Sequence, residues 1–295
     1  PDEIINKYGA DILRIWVVAS DYSEDLKIDN QIINYQIDSY RKIRNTIRFL
    51  LGNLNNFSLN DAVELEQMPD LEKYILNKIS QMNSELKSLV QKHDYHGIFV
   101  KLLNFCTLDL SAFYFDIRKD LLYCDPLNSK KRDNCLSVLK VILQCLLKWF
   151  APILSFTTEE IFKLVNNKNE DDSIHLKRFV TVPNNWENKD LEQTWEKLKI
   201  IRDQANISIE NKRANKEIGS SLEAKIDIKL KKNLFNIAKE EDFSEICITS
   251  ESNVIYDDNI ENEIEVSTEK ATGTKCPICW KIKLKKCERA NCQIS

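Results

Sequence analysis

Apolar residues recur at steps of three and four along much of this chain, and this periodicity constrains its fold more than any other feature. It is clearest between residues 70 and 92, where one helical face would carry Leu71, Tyr74, Ile75, Ile79, Met82, Leu86, Leu89 and Val90. The same pattern predicts amphipathic helices over residues 31–54, 70–92, 95–123, 131–150 and 157–166. Because short connections join these long helices, we predict a mainly α fold with an antiparallel helical bundle.

The helix ends and the region after the bundle carry their own signals. Pro152 stops the fourth helix, and Thr157 with Glu160 forms a Thr-x-x-Glu capping box that opens the fifth. After a loop-like stretch at 164–188, we predict a long helix over 191–215. Alternating apolar and polar residues then predict the strands of a small α+β unit, over 223–230, 244–249 and 260–266.

Glycine and proline are scarce, which agrees with long helices. The 295 residues include 5 Gly and 6 Pro, against roughly 35 of the two together at average usage. Gly-rich phosphate loops and hairpin-dense β folds depend on these residues. With 43% hydrophobic residues and a net charge of -4, the composition is that of a globular protein. The longest apolar run, at 15–19, is too short to cross a bilayer, so we expect no membrane partner.

Charge changes abruptly at residue 270. Every charged residue within 240–269 is acidic, whereas seven of the eight charged residues within 270–295 are basic. A separate basic module is therefore predicted at this end of the chain. We divide the chain into a junction, a helical bundle, an α+β unit that includes the long helix, and a tail, over residues 1–30, 31–187, 188–269 and 270–295.

Four of the nine cysteines lie in this tail with the spacing C-x2-C-x7-C-x4-C. Two residues between thiolates let one turn present both sulfurs to a tetrahedral zinc ion. We therefore predict one zinc site, formed by Cys276, Cys279, Cys287 and Cys292. Two alternatives stay open: reduced surface thiols in a disordered tail, and a redox pair at Cys276 and Cys279, although no thioredoxin-like βαβ pattern surrounds that pair.

Aromatic and basic residues accompany these cysteines. Trp280 directly follows the second of them, and the basic residues of the stretch are Lys281, Lys283, Lys285, Lys286 and Arg289. Such residues on a loop made rigid by a metal suit base stacking and phosphate contact in single-stranded RNA, which we predict for Trp280, Lys281 and Lys283. The alternative is that Trp280 simply packs against the knuckle formed by the first cysteine pair.

Three arginines share one face of the first bundle helix. At 100° per residue, Arg41, Arg44 and Arg48 lie within a narrow arc beside the buried apolar stripe. This arrangement suits contact with a phosphate backbone, so we predict RNA binding by these three residues. A solvated face with intrahelical ion pairs would give the same pattern.

Other residues with potential chemistry are better explained by structure. Asp109, Asp116 and Asp120 share a helix with basic residues and have no nearby histidine constellation, so we interpret them as links between helices. His93 and His96 are three apart without a third ligand in reach. No dinucleotide, P-loop or nucleophile-elbow motif occurs. We therefore predict no catalytic residue in this chain.

Several runs of residues resemble large class I aminoacyl-tRNA synthetases. The runs YGADILRIW at 8–16 and SDYSED at 20–25 are similar to the segment that follows the catalytic lysine loop in that family. The run YRKIRNTIRFLLGNL at 40–54 resembles the entry helix of the family's anticodon-binding bundle. Residues 104–123 and 151–161 resemble later helices of the same bundle.

Two later runs, IGSSLEA at 218–224 and CPICW at 276–280, are similar to the bacterial isoleucyl members. The resemblance implies a parent enzyme that uses ATP and Mg²⁺ to join isoleucine to its tRNA. The family's ATP motifs and inserted editing domain are absent from this sequence. We expect a C-terminal piece, inactive alone, that positions the anticodon stem and loop of the isoleucine tRNA, and a parent that is a cytoplasmic monomer.

The sequence departs from the family at the metal site. In the family, the last cysteine pair usually has two intervening residues, whereas four residues separate Cys287 from Cys292 here. Two other functions fit the same residues. A non-enzymatic zinc-containing module that binds nucleic acid would prefer duplex DNA, since the tail also resembles the finger at the end of some DNA glycosylases. A helical scaffold with an incidental zinc clip would bind no RNA at physiological salt.

Overall fold

Helices make up most of the structure, a computed structural model that describes residues 1–21, 25–26, 28–55, 64–166, 171–287, 289 and 292. The prediction of a mainly α fold is confirmed. The chain divides into two compact units. The N-terminal unit comprises Pro1–Asp116 and Asp133–Glu187, and the C-terminal unit comprises Ile117–Arg132 and Asn188–Ser295. The predicted SDYSED run and the predicted loop at 164–188 lie partly outside the described residues.

The helices between residues 30 and 166 form where the apolar periodicity predicted them, whereas the two helices that precede them were not predicted. In chain order the helices are α1 (Asp2–Tyr8), α2 (Ala10–Ala19), α3 (Asn30–Leu54), α4 (Asp70–Gln91), α5 (Tyr95–Asn104), α6 (Phe115–Cys124), α7 (Lys130–Phe150) and α8 (Ser155–Asn166). In α4, Tyr74, Ile75 and Ile79 are almost completely buried. Each such side chain stabilises the fold by roughly 1.5–3 kcal/mol, which explains why one apolar stripe suffices to fix the helix in the bundle.

A π-helix at Phe105–Tyr114 connects α5 to α6, so one continuous helical segment runs from Tyr95 to Cys124. Two hydroxyl groups make hydrogen bonds at its widened turns. Ser111 Oγ donates to the carbonyl of Cys106 at 2.8 Å, and Thr46 Oγ1 lies 3.2 Å from Ser111 Oγ. By length and composition alone this segment could cross a membrane, but half of its most apolar window is buried within the protein. That burial is typical of a core helix.

The start of α8 differs from the predicted capping box. The helix begins at Ser155, two residues before Thr157, and its cap comes from α2. The Asp11 carboxylate accepts hydrogen bonds from the Phe156 and Thr157 backbone N–H groups at 3.3 and 2.8 Å and from the Thr157 hydroxyl at 2.6 Å. A carboxylate accepts hydrogen bonds from these otherwise unpaired donors more strongly than a hydroxyl does. Its negative charge also interacts favourably with the positive end of the helix dipole.

The C-terminal unit contains the long helix α9 (Lys189–Ala214) and a three-stranded sheet. Its strands are β1 (Ala224–Leu230), β2 (Glu251–Tyr256) and β3 (Ile264–Lys270), in the order β2-β1-β3. The central strand β1 pairs in parallel with β2 and antiparallel with β3. Between β1 and β2 lie two short helices, α10 (Lys232–Ala238) and α11 (Phe243–Ile246), which provide the crossover that a parallel pair requires.

Of the three predicted strands, the first matches β1, the second is wrong and the third is displaced. Residues 244–249 begin in α11, because the Asp242 side chain accepts hydrogen bonds from the backbone N–H groups of Ser244 and Glu245 and so caps a helical turn. Phe243 and Ile246 are both buried, three residues apart. The strand that follows is β2, and β3 begins four residues later than predicted.

The tail adds a short hairpin formed by β4 (Thr274–Lys275) and β5 (Ile282–Lys283). Gly273 precedes it with a φ of 132°, and a Cβ at this position would lie 2.3 Å from the Lys283 carbonyl oxygen. Only glycine fits such a conformation and such a close backbone approach. The hairpin brackets the first cysteine pair, and this places both thiols at one end of a rigid turn.

Candidate metal centre and nucleic-acid surface

Four thiols of the tail converge on one point. The Sγ atoms of Cys276, Cys279, Cys287 and Cys292 all lie within 4.8 Å of one another. The Cys279 and Cys287 sulfurs are 3.9 Å apart, close to the roughly 3.8 Å edge of a tetrahedron with zinc–sulfur bonds of about 2.3 Å. These residues are therefore placed to hold a metal ion, and the four-residue spacer before Cys292 does not prevent convergence.

Backbone geometry prepares the first cysteine pair for metal binding. The Cys276 N–H donates to the Lys281 carbonyl at 2.9 Å, and the Trp280 N–H donates to the Cys276 carbonyl at 3.0 Å. Burial opposes ionisation of Cys276, but hydrogen bonds from the backbone N–H groups of Cys279 and Ile278 lower the pKa of its thiol to about 7. A thiolate stabilised in this way is the form that binds metal.

Arg289, which lies between the last two cysteines, is held by two carboxylates. Its guanidinium contacts Asp120 at 2.7 Å and Asp125 at 2.9 Å, and both carboxylates lie at the C-terminal end of α6 or just after it. Burial disfavours the charged guanidinium, but these two carboxylates outweigh it and raise the pKa of Arg289. Arg289 therefore has a structural role, whereas the sequence analysis placed it among the basic residues available for phosphate contact.

Trp280 is presented to solvent. Its side chain is 60% exposed, and its φ of 62° is in the left-handed region that side chains other than glycine rarely adopt. An indole that packed on the knuckle would be largely covered. The exposed ring therefore favours the stacking interpretation over the packing alternative.

The lysines beside Trp280 differ in accessibility. Lys281 is half-buried and its Nζ lies 3.4 Å from the Ser244 carbonyl oxygen, and burial lowers the pKa of its ammonium group. Lys283 is exposed, with its Nζ 3.3 Å from the Ser250 carbonyl. Lys285 and Lys286 are exposed as well. The exposed ammonium groups are the better candidates for phosphate contact.

The arginine face of α3 is exposed, as its helical phase predicted. Arg41 pairs with Asp38 at 3.2 Å, an exposed ion pair of the kind that the alternative interpretation required. Arg44 donates to the Tyr40 hydroxyl at 2.8 Å, and this hydrogen bond raises the pKa of its guanidinium. The Tyr40 hydroxyl is in turn 3.0 Å from Thr157 Oγ1. Arg44 is thereby linked to the Asp11 cap of α8.

Arg48 lies at the edge of a cavity of about 1080 Å³ within the N-terminal unit. Apolar residues form much of its wall, and the lining includes Leu51, Leu54, Leu143, Leu147, Phe162 and Val165. The charged residues of the lining, Arg48, Lys140, Lys148 and Lys177, are all basic. Lys177 is paired with Asp172, which reduces its contribution to the local potential.

The acidic and histidine residues considered in the sequence have structural contacts. Asp120 binds Arg289. His93 Nδ1 lies 3.3 Å from the Tyr95 hydroxyl, and His96 Nδ1 lies 2.7 Å from the Ala19 carbonyl oxygen. Within the part of the chain that the structure describes, the four tail cysteines are the one group of three or more such residues placed to hold a metal ion.

Comparison with known proteins identifies the helical region. The family described as the anticodon-binding domain of tRNA ligase matches residues 72–228. The isoleucine-tRNA ligase of Pelagibacter ubique is 55% identical over 292 residues, which are 98% of this chain and 32% of that protein. The isoleucine-tRNA ligases of Gluconobacter oxydans and Bartonella henselae are 39% and 40% identical, over 96% and 95% of this chain. The chain spans about a third of the length of these relatives and matches their C-terminal part.

Proposed function

This chain belongs to the family of tRNA ligase anticodon-binding domains, and from that membership we infer that it is the tRNA-binding part of an isoleucine-tRNA ligase. The observation that carries this inference is the family match over residues 72–228, together with similarity to isoleucine-tRNA ligases along nearly the whole chain. Specificity for the isoleucine tRNA is supported by the names of those relatives. A duplex-DNA module has no comparable support.

In this proposal the bundle holds the anticodon stem and loop. Arg41, Arg44 and Arg48 would contact the phosphate backbone from one face of α3, and Trp280, Lys281 and Lys283 would contact unpaired nucleotides. Holding the tRNA in one orientation lowers the entropic cost of bringing its acceptor end to a catalytic centre. The complete ligase would join isoleucine to its tRNA with ATP and Mg²⁺, as a cytoplasmic monomer, and the nucleotide chemistry would belong to parts of the enzyme other than this chain.

The direct test is a binding titration of the 295-residue chain with labelled tRNA. We expect it to bind the isoleucine tRNA more tightly than a tRNA for another amino acid, and to bind duplex DNA more weakly than either. The isolated chain should show no isoleucine-dependent exchange between ATP and pyrophosphate. Equal affinity for all three nucleic acids, or measurable exchange activity, would contradict the proposed division of labour.

We further propose that the metal of the tail is zinc. Four thiolates in tetrahedral reach are the donor set that zinc prefers in structural sites, and a tail with few apolar residues needs metal binding for most of its folding free energy. Elemental analysis of the purified chain should give one zinc per molecule. A Cys276→Ser/Cys279→Ser double variant should lose that zinc, whereas Cys247→Ser, which changes a buried thiol outside the group, should keep it.

A further inference from the structure

An open groove lies between α3, α7 and α8 in the N-terminal unit, and we call it the α3–α8 groove. It is the cavity of about 1080 Å³ that Arg48 borders. Its lining residues on α3 and α7 recur at steps of three and four, so one face of each helix forms a wall. They include Arg48, Leu51 and Gly52 on α3, and Lys140, Leu143, Gln144, Leu147 and Lys148 on α7.

The wall of this groove is mainly aliphatic. Leu143 and Leu147 are buried, whereas Leu164 and Val165 at the end of α8 are 65% and 46% exposed. Phe162 is the one aromatic residue of the described lining; it is buried, and Lys177 Nζ lies 5.4 Å from its ring centroid. An unpaired base stacks on an accessible aromatic ring, whereas the apolar face of a helix packs on aliphatic side chains. The lining therefore favours a helix over a nucleotide.

The charge of the groove has one sign, because every charged residue of the described lining is basic. Lys177 is paired with Asp172. Arg48 and Lys148 form no ion pair with any residue that the structure describes. Their charges are thus available to an incoming molecule, and they favour one that carries carboxylates beside its apolar surface.

Gly52 keeps the α3 side of the groove low. It lies in the last turn of α3, one turn after Arg48, where glycine is less favourable to a helix than alanine. Among the described residues, a Cβ here would meet no atom within 4 Å beyond its own helix and chain neighbours. Packing within the protein therefore does not require a glycine at this position. Without a side chain, however, α3 admits the close approach of another backbone.

We propose that the α3–α8 groove binds an acidic amphipathic helix of a partner protein. From Lys140 to Lys148 the groove follows about 12 Å of α7, at 1.5 Å per residue. Apolar anchors at positions i, i+4 and i+7 of the partner helix span about 10 Å, so two turns of that helix match this length. The anchors would pack against the leucines of α7 and the exposed end of α8, and flanking carboxylates would meet Arg48 and Lys148.

The test uses the whole chain and a labelled peptide of about 16 residues, long enough to form a helix. The peptide carries Leu at the three anchor positions and Glu on both flanks. We expect saturable binding, measured by fluorescence anisotropy. A peptide with Ala at the anchors and a peptide with Lys in place of Glu should each bind at least about tenfold more weakly, because apolar burial and charge complementarity both contribute.

Three variants of the chain locate the binding site. Leu164→Ser/Val165→Ser removes exposed apolar wall without changing charge, Lys148→Glu reverses one basic charge, and Gly52→Leu places a side chain in the open space of the groove. Each should weaken binding of the acidic peptide about tenfold. The Tm of each variant, measured by circular dichroism, should stay close to that of the wild type.

Two matched controls lie in the N-terminal unit outside the groove lining. Leu108 is 61% exposed, so Leu108→Ser removes a comparable apolar surface. Lys87 is an exposed lysine of α4, so Lys87→Glu makes the same charge change as Lys148→Glu. Both controls should bind the acidic peptide as the wild type does.

Wild-type protein that does not bind the acidic peptide, or groove variants that bind it like the controls, would overturn the proposal. If the peptide fails to bind and Leu164→Ser/Val165→Ser instead lowers the affinity for tRNA, the groove belongs to RNA. A dimer in sedimentation that the same variant abolishes would assign the groove to a second copy of this chain and likewise overturn the proposal. Failure of wild-type protein to bind tRNA would contradict only the proposed function, since the peptide titration contains no RNA.

Discussion

At the scale of single residues, Trp280 combines two properties that folding alone does not favour. A left-handed backbone conformation costs a residue with a side chain roughly 1 kcal/mol, and an exposed indole gains little from burial in return. The conformation follows from the knuckle, because the Trp280 N–H must reach the Cys276 carbonyl. The sequence predicted the aromatic contact from adjacency to Cys279, but the exposure of the ring required the structure.

We predict that Trp280→Ala weakens tRNA binding without changing the zinc content. Loss of one stacked base should cost about 1–3 kcal/mol of binding free energy, and Trp280→Tyr should recover part of it because a smaller aromatic ring remains. Titration with labelled tRNA and elemental analysis check the two halves of the prediction. Leu284→Ala is the matched control, since Leu284 is another exposed apolar residue of the same tail. A loss of zinc in Trp280→Ala would instead indicate a role in the knuckle.

At the scale of elements, periodicity in the sequence was sufficient for the long helices and insufficient for the short ones. An apolar stripe such as that of α4 repeats over six turns and excludes a strand. The four residues of α11 contain only two buried side chains, which are too few to establish a helical period in the sequence. The deciding contribution is the Asp242 cap, a local hydrogen bond that a reading based on alternation does not consider.

Contacts between residues distant in sequence set another limit on what the sequence alone can predict. Asp11 caps a helix that starts 144 positions later, and Cys124 shares a buried cluster with cysteines more than 150 positions away. Neither pairing leaves a periodic signal in one sequence, whereas the tail cysteines could be assigned because all four lie close together. The same limit explains Arg289, whose neighbours in sequence indicated an RNA contact and whose carboxylate partners lie on α6.

For the Asp11 cap we predict a stability effect larger than that of a surface carboxylate. Asp11→Ala removes a buried acceptor of two backbone N–H groups and one hydroxyl, and should lower the free energy of unfolding by about 1–2 kcal/mol. Asp38→Ala, which removes only an exposed partner of Arg41, should change it by less than about 0.5 kcal/mol. Urea unfolding followed by circular dichroism measures both. Equal effects would mean that α8 is stable without its cap.

At the scale of the whole molecule, the C-terminal unit is not continuous in sequence. Residues 117–132, the end of α6 and the turn into α7, belong to it together with everything after residue 187. Charged contacts bind this insertion to the rest of the unit, because Glu245 accepts from both Arg118 and Lys131 at 2.6 Å. Arg118 is buried, so its pairing is needed to avoid an uncompensated charge. The insertion therefore belongs to the same compact unit as the sheet.

The two units should respond differently when the metal is removed. The bundle holds its core by apolar packing, whereas the tail depends on metal ligation. We predict that a strong chelator leaves most of the helical circular dichroism signal unchanged and lowers the affinity for tRNA. It should also make the dependence of log Kd on log salt shallower by about 0.7–0.9 for each phosphate contact that the tail loses.

Zinc added back should restore affinity and salt dependence in wild-type protein. It should not restore them in Cys276→Ser/Cys279→Ser, which keeps the lysines but lacks the knuckle. Chelated and zinc-bound protein with the same affinity and the same salt slope would show that the tail takes no part in RNA contact. The arginine face of α3, where Arg44 and Arg48 are exposed, would then have to account for the whole electrostatic contribution.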